Sequence, residues 1–529
     1  MGWFGQLWGM ALGAARVQPR FEDPVQLLGD RLRGIYRFLA EFGGRLFPDD
    51  YFADLYLESR RGRPTVPARV LATVMVLQAH EGLSDQEACD HLECDLRWQA
   101  AAGVHAGYEA FHPTVLVGAR NRLRASGRPR RLFADTKVVA KEAGLMKDAA
   151  RVVDSTPLYD AVATQDTVTQ LRSAIGKVLR LLAGWNLGVR VRLALRRPDS
   201  YLTAGKPPCD WDDPAARDEL VDALVKDALA ALAVLDGQTL APAVAEAAEL
   251  LAEVAGQDVE RGPDGCFRIA TRVARDRIIS TVDPEARHGH KSHNRRFDGY
   301  KTHLSIDPDS ELIDEVVVTA ANAADHDPID DLLAPVADNP DKPVVFGDCA
   351  YADGDTLAHL EGQGFEVKAR VPAAVNRDGR YSKDDFAVDL EAATVTCPAG
   401  QVAAIRFDDS GGGKASFTPW CGTCPLAEDC TTATAGRSIS IHPHEQILQQ
   451  HKANQQTQEW HDAYTGTRPK VERKIAHFVS VVFGGRKARA RGIRRVATDV
   501  DTRAAAVNFS RLGVLGAYWD GNCWAAAPT

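Results

Sequence analysis

Two short apolar runs that each lead into an aspartate constrain the fold of this chain most strongly. Residues 152–153 lead into Asp154, and residues 344–347 lead into Asp348. A buried strand that ends in an acid holds the carboxylate at the rim of a sheet, where it can reach a metal or a substrate. The plain alternative for either residue is a turn cap. The two runs therefore predict a sheet with two carboxylates at its rim.

The segments around these runs follow an order typical of an α/β domain. After Asp154, residues 167–183 and 218–255 are rich in Leu and Ala at helical spacing, which indicates a helical insertion. Strands are then predicted over 277–281, 297–306, 312–319, 344–346 and 366–371, with helices over 325–333 and 356–363. This order predicts a mixed sheet with helices packed against it.

The N-terminal part of the chain is predicted to be a bundle of short helices. Ser84 and Glu87 form a capping-box pattern at the start of one helix, and the last helix carries Arg120 and Arg124. A helix-turn-helix-like bundle would place this cationic helix on DNA. A purely structural helical bundle fits the same pattern.

A third acid, Glu472, lies on a helix predicted over residues 469–483, with Pro469 in its first turn. Arg468 and Glu472 are four residues apart, so they share one face of that helix. The alternative role for Glu472 is a surface ion pair with Arg468 or Arg473.

Charge is unevenly distributed along the chain, whose formal net charge is -9. Residues 468–495 contain ten Lys or Arg and one acid, and residues 120–151 contain ten against three. Residues 210–260 reverse the balance, with thirteen acids and two bases. A local basic surface can bind phosphates despite an acidic total, although a solvated charged face is the alternative for each segment. No stretch has the pattern of a membrane span or a secretory leader, so we expect a cytoplasmic protein.

The ten cysteines are not expected to form a disulfide framework in an intracellular-looking chain. Four of them have the spacing of a structural zinc knuckle. These are Cys397, Cys421, Cys424 and Cys430. The stretch looks poor in apolar residues, so a metal would supply stability that a core does not. His442 and His444 are alternative ligands, and four reduced cysteines that pack in turns are the alternative to a metal site.

Several motifs together carry a resemblance to a known family. Residues 153–156 resemble its first-Asp strand and residues 347–351 its second-Asp segment, while Tyr464, Arg468 and Glu472 resemble its Tyr, Arg, Glu signature. Further similar segments are 281–287, 297–301 and 318–325, the N-terminal helices and the Cys cluster. Over residues 20–510 the chain thus resembles the bacterial insertion-sequence transposases of the DDE class. The resemblance is to a subgroup with a helical N-terminal domain and a Cys-cluster insertion before the catalytic Glu.

The resemblance implies a fold, a reaction and cofactors. It implies a ribonuclease-H-like mixed sheet in which Asp154, Asp348 and Glu472 are catalytic and hold two Mg²⁺ or Mn²⁺ ions, with Asp154 favoured as the bridging ligand. It also implies strand cleavage and strand transfer on double-stranded DNA, at the terminal inverted repeats and at target DNA, by a homodimer associated with the nucleoid. The alternatives are a catalytically inactive DNA-binding regulator and a stand-alone nuclease of the same fold.

The resemblance and the basic segments also predict DNA contacts. The candidate residues are Tyr464, Arg468, Lys474, Arg486, Lys487, Arg120 and Arg124. Val479 stands where the family has a Lys, and Lys474 and Lys487 are the candidates for that role. Asp283 also ends a strand-like run, and we expect it to orient the basic loop 287–296.

These patterns divide the chain into six parts. They are an extension over 1–20, a helical DNA-binding domain over 21–135, the first part of a catalytic core over 145–375 with its helical insertion at about 160–260, a Cys-rich, zinc-ribbon-like insertion over 376–445, the last part of the core over 446–510 and a tail over 511–529.

Overall fold

The computed structural model describes residues 23–56, 65–160, 162–197, 201–203, 205–272, 274–292, 294–375 and 378–527. The predicted extension over 1–20 and the predicted boundary at residue 376 lie outside these ranges. The chain forms two compact units. The first comprises Met1–Gln78 and Leu83–Ser126, and the second comprises Ala79–Gly82 and Gly127–Thr529.

The first unit is helical, which confirms the predicted helical character of the N-terminal region. Its helices are α1 (Pro24–Leu28), α2 (Gly34–Leu46), α3 (Ala68–Glu81), α4 (Asp85–Cys94), α5 (Leu96–Ala102) and α6 (Thr114–Ala125). The capping box at the start of α4 is confirmed, because the Ser84 hydroxyl accepts from the Glu87 N–H at 3.2 Å and the Glu87 carboxylate accepts from the Ser84 N–H at 2.8 Å. In α6, one buried stripe formed by Leu116, Ala119 and Leu123 faces the interior of the unit.

The second unit contains the remaining elements. Its helices are α7 (Arg131–Glu142), α8 (Thr167–Leu181), α9 (Asn186–Ala194), α10 (Pro214–Leu235), α11 (Pro242–Gln257), α12 (Ile329–Leu333), α13 (Gly354–Gly362), α14 (Thr418–Cys421), α15 (Ala427–Cys430), α16 (Glu445–Asn454), α17 (Gln458–Phe478) and α18 (Ile493–Val514). Its strands are β1 (Ala150–Tyr159), β2 (Val259–Arg261), β3 (Phe267–Ile269), β4 (Arg287–Ser292), β5 (Arg295–Ile306), β6 (Ile313–Ala320), β7 (Val344–Gly347), β8 (Val367–Ala369), β9 (Ala387–Asp389), β10 (Thr394–Thr396), β11 (Val402–Phe407), β12 (Gly413–Ser416), β13 (Ser438–Ile441), β14 (Ala517–Trp519) and β15 (Trp524–Ala526).

A mixed six-stranded sheet organises the second unit, as predicted. The order is β4-β5-β1-β7-β8, and β6 pairs with β5. β1 lies in the middle, antiparallel to β5 and parallel to β7. Helices α12, α13 and α16 contribute apolar side chains to the core over β7 and β8, and α18 packs against β6. These helices cover the apolar side chains of the sheet and keep them from water, as is typical of α/β sheets.

The strand predicted over 277–281 is wrong, because this segment has no strand neighbour among the described residues. Side-chain amides satisfy its backbone instead. The Ile278 carbonyl accepts from Gln170 at 2.8 Å, the Ile278 N–H donates to Gln257 at 2.8 Å, and the Thr281 N–H donates to Gln165 at 2.9 Å. Both apolar residues that suggested a strand, Ile278 and Ile279, are buried, and Ile278 belongs to the core of the helical insertion.

The helical insertion between β1 and β4 has its own core. Leu, Val, Ile and Ala side chains of α8, α10 and α11 form one buried cluster. Two of its helices are preceded by an aspartate N-cap whose side chain accepts a backbone N–H, Asp166 for α8 and Asp213 for α10. A short β2–β3 hairpin follows α11.

The Cys-rich region is a five-stranded antiparallel sheet of order β13-β12-β11-β10-β9, with α14 and α15 between β12 and β13. The expectation that this region lacks apolar material is wrong. Alternating strand residues and two aromatic rings form a buried cluster. The cluster contains Phe386, Val395, Ala403, Ile405, Ala415, Phe417, Cys430, Ile439 and Ile441. A core of this kind removes the argument that only a metal could hold the region together.

The helix that carries Glu472 differs from its prediction. α17 begins at Gln458, capped by the Thr457 side chain, and ends at Phe478, so Pro469 lies in its interior and not in its first turn. The apolar pattern after Phe478 belongs to a separate 3-10 turn, Val481–Phe483. The polar first half of α17 hid its true beginning from a search for apolar spacing.

The C-terminal part is also more structured than predicted. α18 continues past the predicted boundary at residue 510 to Val514, and a β14–β15 hairpin follows in the predicted tail. Within the described residues, no helix has both the length and the apolar character needed to cross a membrane.

Candidate active site

Two aspartates lie side by side on neighbouring parallel strands. Val152 of β1 pairs with Phe346 of β7, and Asp154 and Asp348 each follow two residues later. Asp348 directly follows the last residue of β7, as predicted, whereas Asp154 lies within β1, which continues to Tyr159. β1 runs on because β5 pairs with it as far as Tyr159.

Arg468 joins the two carboxylates. Its guanidinium donates to the Asp154 carboxylate at 2.7 Å and lies 3.9 Å from the Asp348 carboxylate. The side chains of Arg468 and Asp154 are only 9% and 15% exposed, whereas that of Asp348 is 40% exposed. Burial raises the pKa of Asp154, the Arg468 charge opposes this rise, and the Asp348 charge adds to it. The buried carboxylate therefore depends on a nearby cation.

α17 positions the site through two further contacts. The Tyr464 hydroxyl donates to the Gly347 carbonyl at 3.1 Å, next to Asp348 in the chain. The Tyr464 ring stacks on Trp460, with ring centroids 4.6 Å apart. These contacts fix the helix against the end of β7.

Glu472 is exposed on α17 and lines the same cleft as Asp154 and Asp348. Within the described part of the chain, Glu472 does not form the alternative surface ion pair with Arg468 or Arg473. Arg468 pairs with Asp154, and Arg473 pairs with Glu311. The structure therefore brings the three predicted acids to one cleft of roughly 350 Å³.

The cleft also contains residues that the sequence analysis did not assign to the site. The Lys301 ammonium donates to the Asp325 carboxylate at 2.6 Å and to the Ala323 carbonyl at 2.7 Å, and both charged side chains line the cleft. Lys301 and Asp325 end two of the motifs that carry the family resemblance, which is the signal that could have identified them. His290 and Lys291 of β4 line the same cleft.

The predicted DNA contacts fall into different environments. Arg486 lines the cleft and donates to the Thr156 hydroxyl at 2.5 Å, and Lys487 is exposed beside the end of β1. Lys474 is only 5% exposed and lies 3.7 Å from Glu311, so its side chain is not placed to meet a DNA backbone. Its role as a DNA contact stays a prediction that this placement does not support. Arg468 and Tyr464 hold the site together, as described above, rather than facing outward.

The two arginines predicted on the cationic helix lie in the first unit. Arg120 donates to Asp85 at 2.5 Å and to Gln78 at 3.1 Å, and its side chain is 26% exposed. Arg124 donates to Asn121 one turn away. Arg120 thus links α6 to α3 and α4. This contact fits the alternative of a purely structural helical bundle.

Asp283 does not orient the basic loop as predicted. It is buried, and it accepts from the Tyr300 hydroxyl at 2.7 Å and from the Gly492 N–H at 3.2 Å. Within the described ranges, the residues expected to form that loop belong to the paired strands β4 and β5 or to the turn between them. Asp283 therefore links β5 to the start of α18.

The acids at the cleft have the donor chemistry for a hard divalent cation. Two adjacent carboxylates, one of them buried, favour a cation between them, and oxygen is the ligand that Mg²⁺ and Mn²⁺ prefer. Across the described ranges, however, no three His, Cys, Asp or Glu side chains are grouped closely enough to hold a metal ion. Asp154 and Asp348 are thus the pair that fits, with Glu472 in the same cleft but outside that pair.

The predicted zinc site gains no support. Cys397, Cys421, Cys424 and Cys430 line one cavity, but they do not form a metal-binding group in the part of the chain that the structure describes. Burial raises the pKa of the Cys430 thiol, and the neighbouring thiols add to this effect. All ten cysteines are free thiols in the structure.

Two family models match the sequence. Residues 21–122 match a model described as "Transposase domain (DUF772)", and residues 396–513 match one described as "Transposase DDE domain". The second match includes Glu472 and Arg468, whereas Asp154 and Asp348 lie outside both matches. No curated protein and no solved structure matches the chain.

Proposed function

By its two matched regions this chain is a bacterial insertion-sequence DDE transposase, and from that premise we propose that it cleaves and joins DNA strands at the ends of its own element. The observation that carries the proposal is the pair Asp154 and Asp348 on neighbouring parallel strands, with Glu472 in the same cleft. The partners would be double-stranded DNA and a second copy of the chain.

The strand order supports a ribonuclease-H-like core. Three antiparallel strands, β6, β5 and β1, are followed by β7 and β8, which run parallel to β1. The first acid lies on the central strand and the second follows the strand beside it. Such a core would present both carboxylates to one cleft.

In the proposed mechanism, the pair Asp154 and Asp348 would hold the divalent cations, and Glu472, which lines the same cleft, would complete the ligand set. When bound, two Mg²⁺ or Mn²⁺ ions would stabilise the negative charge on the attacking and leaving oxygens of the phosphodiester. Arg468 fixes the Asp154 carboxylate, and Tyr464 fixes the backbone before Asp348. Arg486 would contact a phosphate at the rim of the cleft, a positioning role without sequence information.

The test is strand cleavage by the Asp348→Ala variant. The substrate is a duplex that carries the inverted repeats flanking the coding region, incubated with Mg²⁺. We expect the variant to lose at least about a thousandfold in cleavage rate, because a metal ligand is lost. Binding of the duplex should stay within a few-fold of the wild type.

Asp338→Ala, which removes an exposed acid outside the cleft, is the matched control and should cleave like the wild type. Cleavage retained by Asp348→Ala would reject the assignment. A wild-type protein that binds the ends but neither cuts nor joins would favour an inactive regulator, and cutting without joining would favour a stand-alone nuclease.

A further inference from the structure

We propose that the β4–β5 ribbon, of which the structure describes residues 287–292 and 294–298, is a DNA-binding element that holds the phosphate backbone of the strand entering the cleft. The inference rests on the proposed function and names a contact surface for it. The ribbon lies between the helical insertion and the rest of β5 in the chain, and it carries no catalytic acid of the proposed mechanism.

The ribbon extends beyond the central strand of the sheet. β4 pairs with β5 from Arg287–Gly299 to Ser292–Arg295. β1 reaches β5 only as far as the pair Tyr159–Gly299. The ribbon is therefore a two-stranded projection from the sheet, and β-ribbons of this kind are one of the structures that bind DNA.

Two glycines fix the base of the ribbon. Gly299 has φ +138°, and a Cβ there would lie 2.4 Å from the Leu158 carbonyl oxygen. A Cβ on Gly289 would lie 2.6 Å from the Ala321 carbonyl oxygen and 2.6 Å from the Phe297 ring. These close approaches hold the ribbon in one direction relative to the sheet.

Among the described residues of the ribbon, the charges at its base have partners and the cations nearer its tip have no ion-pair partner. Arg287 pairs with Asp276 at 2.8 Å, and His288 contacts Asp298 at 2.6 Å. Lys291, Arg295 and Arg296 are exposed, and none of them has an ion-pair partner within the described residues. The sequence 287–297 contains no acid. A free cationic tip of this composition suits a polyanion.

The tip lies beside the carboxylates that would otherwise repel DNA. His290, Lys291 and the base residue Phe297 line the same cleft as Asp154 and Asp348. Phosphates that approach two carboxylates are repelled, and cations at the rim offset this repulsion. The ribbon is thus placed to hold the backbone next to the phosphate that is cut.

The experiment compares the variant Lys291→Ala/Arg295→Ala/Arg296→Ala with the wild type for binding of a 40-bp duplex carrying the terminal repeat. We expect the dissociation constant to rise at least about tenfold in 0.1 M salt. We also expect the slope of log K against log salt to become shallower by about 2 to 3, since each lost phosphate contact accounts for about 0.9.

The matched control removes three exposed arginines of the helical insertion that do not line the cleft, in the variant Arg190→Ala/Arg192→Ala/Arg196→Ala. It should bind the duplex like the wild type. Thermal unfolding checks that both triple variants are folded. If the ribbon variant is not folded, the single exposed change Arg295→Glu replaces it, with an expected loss of at least about fivefold.

An unchanged affinity and salt slope in a folded ribbon variant would overturn the inference. Failure of the proposed function is separate, because it is measured as the absence of Mg²⁺-dependent cleavage by the wild type. Equal losses of affinity in the ribbon and control variants would also overturn the inference, since they would reflect net charge alone.

Discussion

At the scale of single residues, Arg468 is the cation on which the buried Asp154 carboxylate depends. We predict that Arg468→Gln in metal-free buffer lowers the free energy of unfolding by about 3 kcal/mol, because one partner of a buried ion pair is removed. Added Mg²⁺ should restore at least about 1 kcal/mol by binding the folded state. The measurement is chemical denaturation with and without 10 mM Mg²⁺.

Arg473→Gln is the control for this prediction. The Arg473 side chain is 61% exposed, so the change should alter the free energy of unfolding by less than about 0.5 kcal/mol. Mg²⁺ should stabilise this variant by the same amount as it stabilises the wild type. If Mg²⁺ has the same effect on Arg468→Gln as on Arg473→Gln, the carboxylate pair is not the cation site.

Asp501 makes stability depend on pH. Burial raises its pKa from 3.8 to about 6, despite the neighbouring Arg130. A group whose pKa is raised in the folded state binds its proton more tightly there than in the unfolded chain. The free energy of unfolding therefore falls as the pH rises from about 4 to about 6.

We predict that Asp501→Asn removes this contribution, which is about 1 to 3 kcal/mol. The measurement is denaturation of both proteins at several values between pH 4 and pH 7. The difference between the two curves should grow over this window and then level off above the raised pKa. Parallel curves would contradict the assignment.

At the scale of elements, α17 combines stability and positioning in one helix. Pro469 lies in its interior and is exposed. A proline there removes one backbone hydrogen bond and bends a helix. We predict that Pro469→Ala raises the free energy of unfolding by about 1 to 2 kcal/mol. This is the gain from an unbroken helix minus the loss that arises because alanine leaves the unfolded chain more flexible than proline does.

The rate of cleavage by Pro469→Ala should nevertheless fall about tenfold. Pro469 lies between Arg468 and Glu472, so a change in the bend of α17 moves the Glu472 side chain relative to that of Arg468. Gly466→Ala is the control in the same helix. Nothing lies within 4 Å of the position of its added Cβ, so stability should rise by about 0.5 to 1 kcal/mol with cleavage unchanged. Equal effects of the two variants on cleavage would argue against a positioning role for the bend.

The elements also show where sequence patterns were sufficient. The strand and helix order around Asp348 is predictable from short apolar runs, because much of β5, β6 and β7 is buried. The segment 277–281 has the pattern of a strand but is not one, because side-chain amides and not a neighbouring strand bond to its backbone. The spacing of apolar residues indicates which positions are buried. It does not indicate which groups form hydrogen bonds with the backbone N–H and C=O groups of that segment.

The sequence predicted which acids line the cleft better than it predicted the contacts of the cations. Asp348 and Glu472 could be recognised from their motifs, whereas the ion pair of Arg468 with Asp154 joins residues 314 positions apart. Lys474 could not be separated from Lys487 by sequence, since only the helix register shows that Lys474 faces Glu311. Contacts between distant segments decide which basic residues remain free to bind DNA.

At the scale of the whole molecule, the distribution of charge should govern DNA binding more than its sum. The formal net charge is -9, and much of the acidic excess lies in residues 210–260 of the helical insertion. The ribbon tip, Arg486 and Lys487 are basic and lie at or near the cleft. A local field of this kind attracts phosphates within about one Debye length, whatever the total charge.

We therefore predict that binding of the 40-bp end duplex weakens at least about thirtyfold between 50 and 200 mM salt, which corresponds to three or more phosphate contacts. Circular dichroism in the same buffers is the control that the fold is unchanged. If net charge governed binding, added salt would screen the repulsion and strengthen the complex instead. The sign of the salt dependence thus decides between a segregated basic surface and an average over the chain.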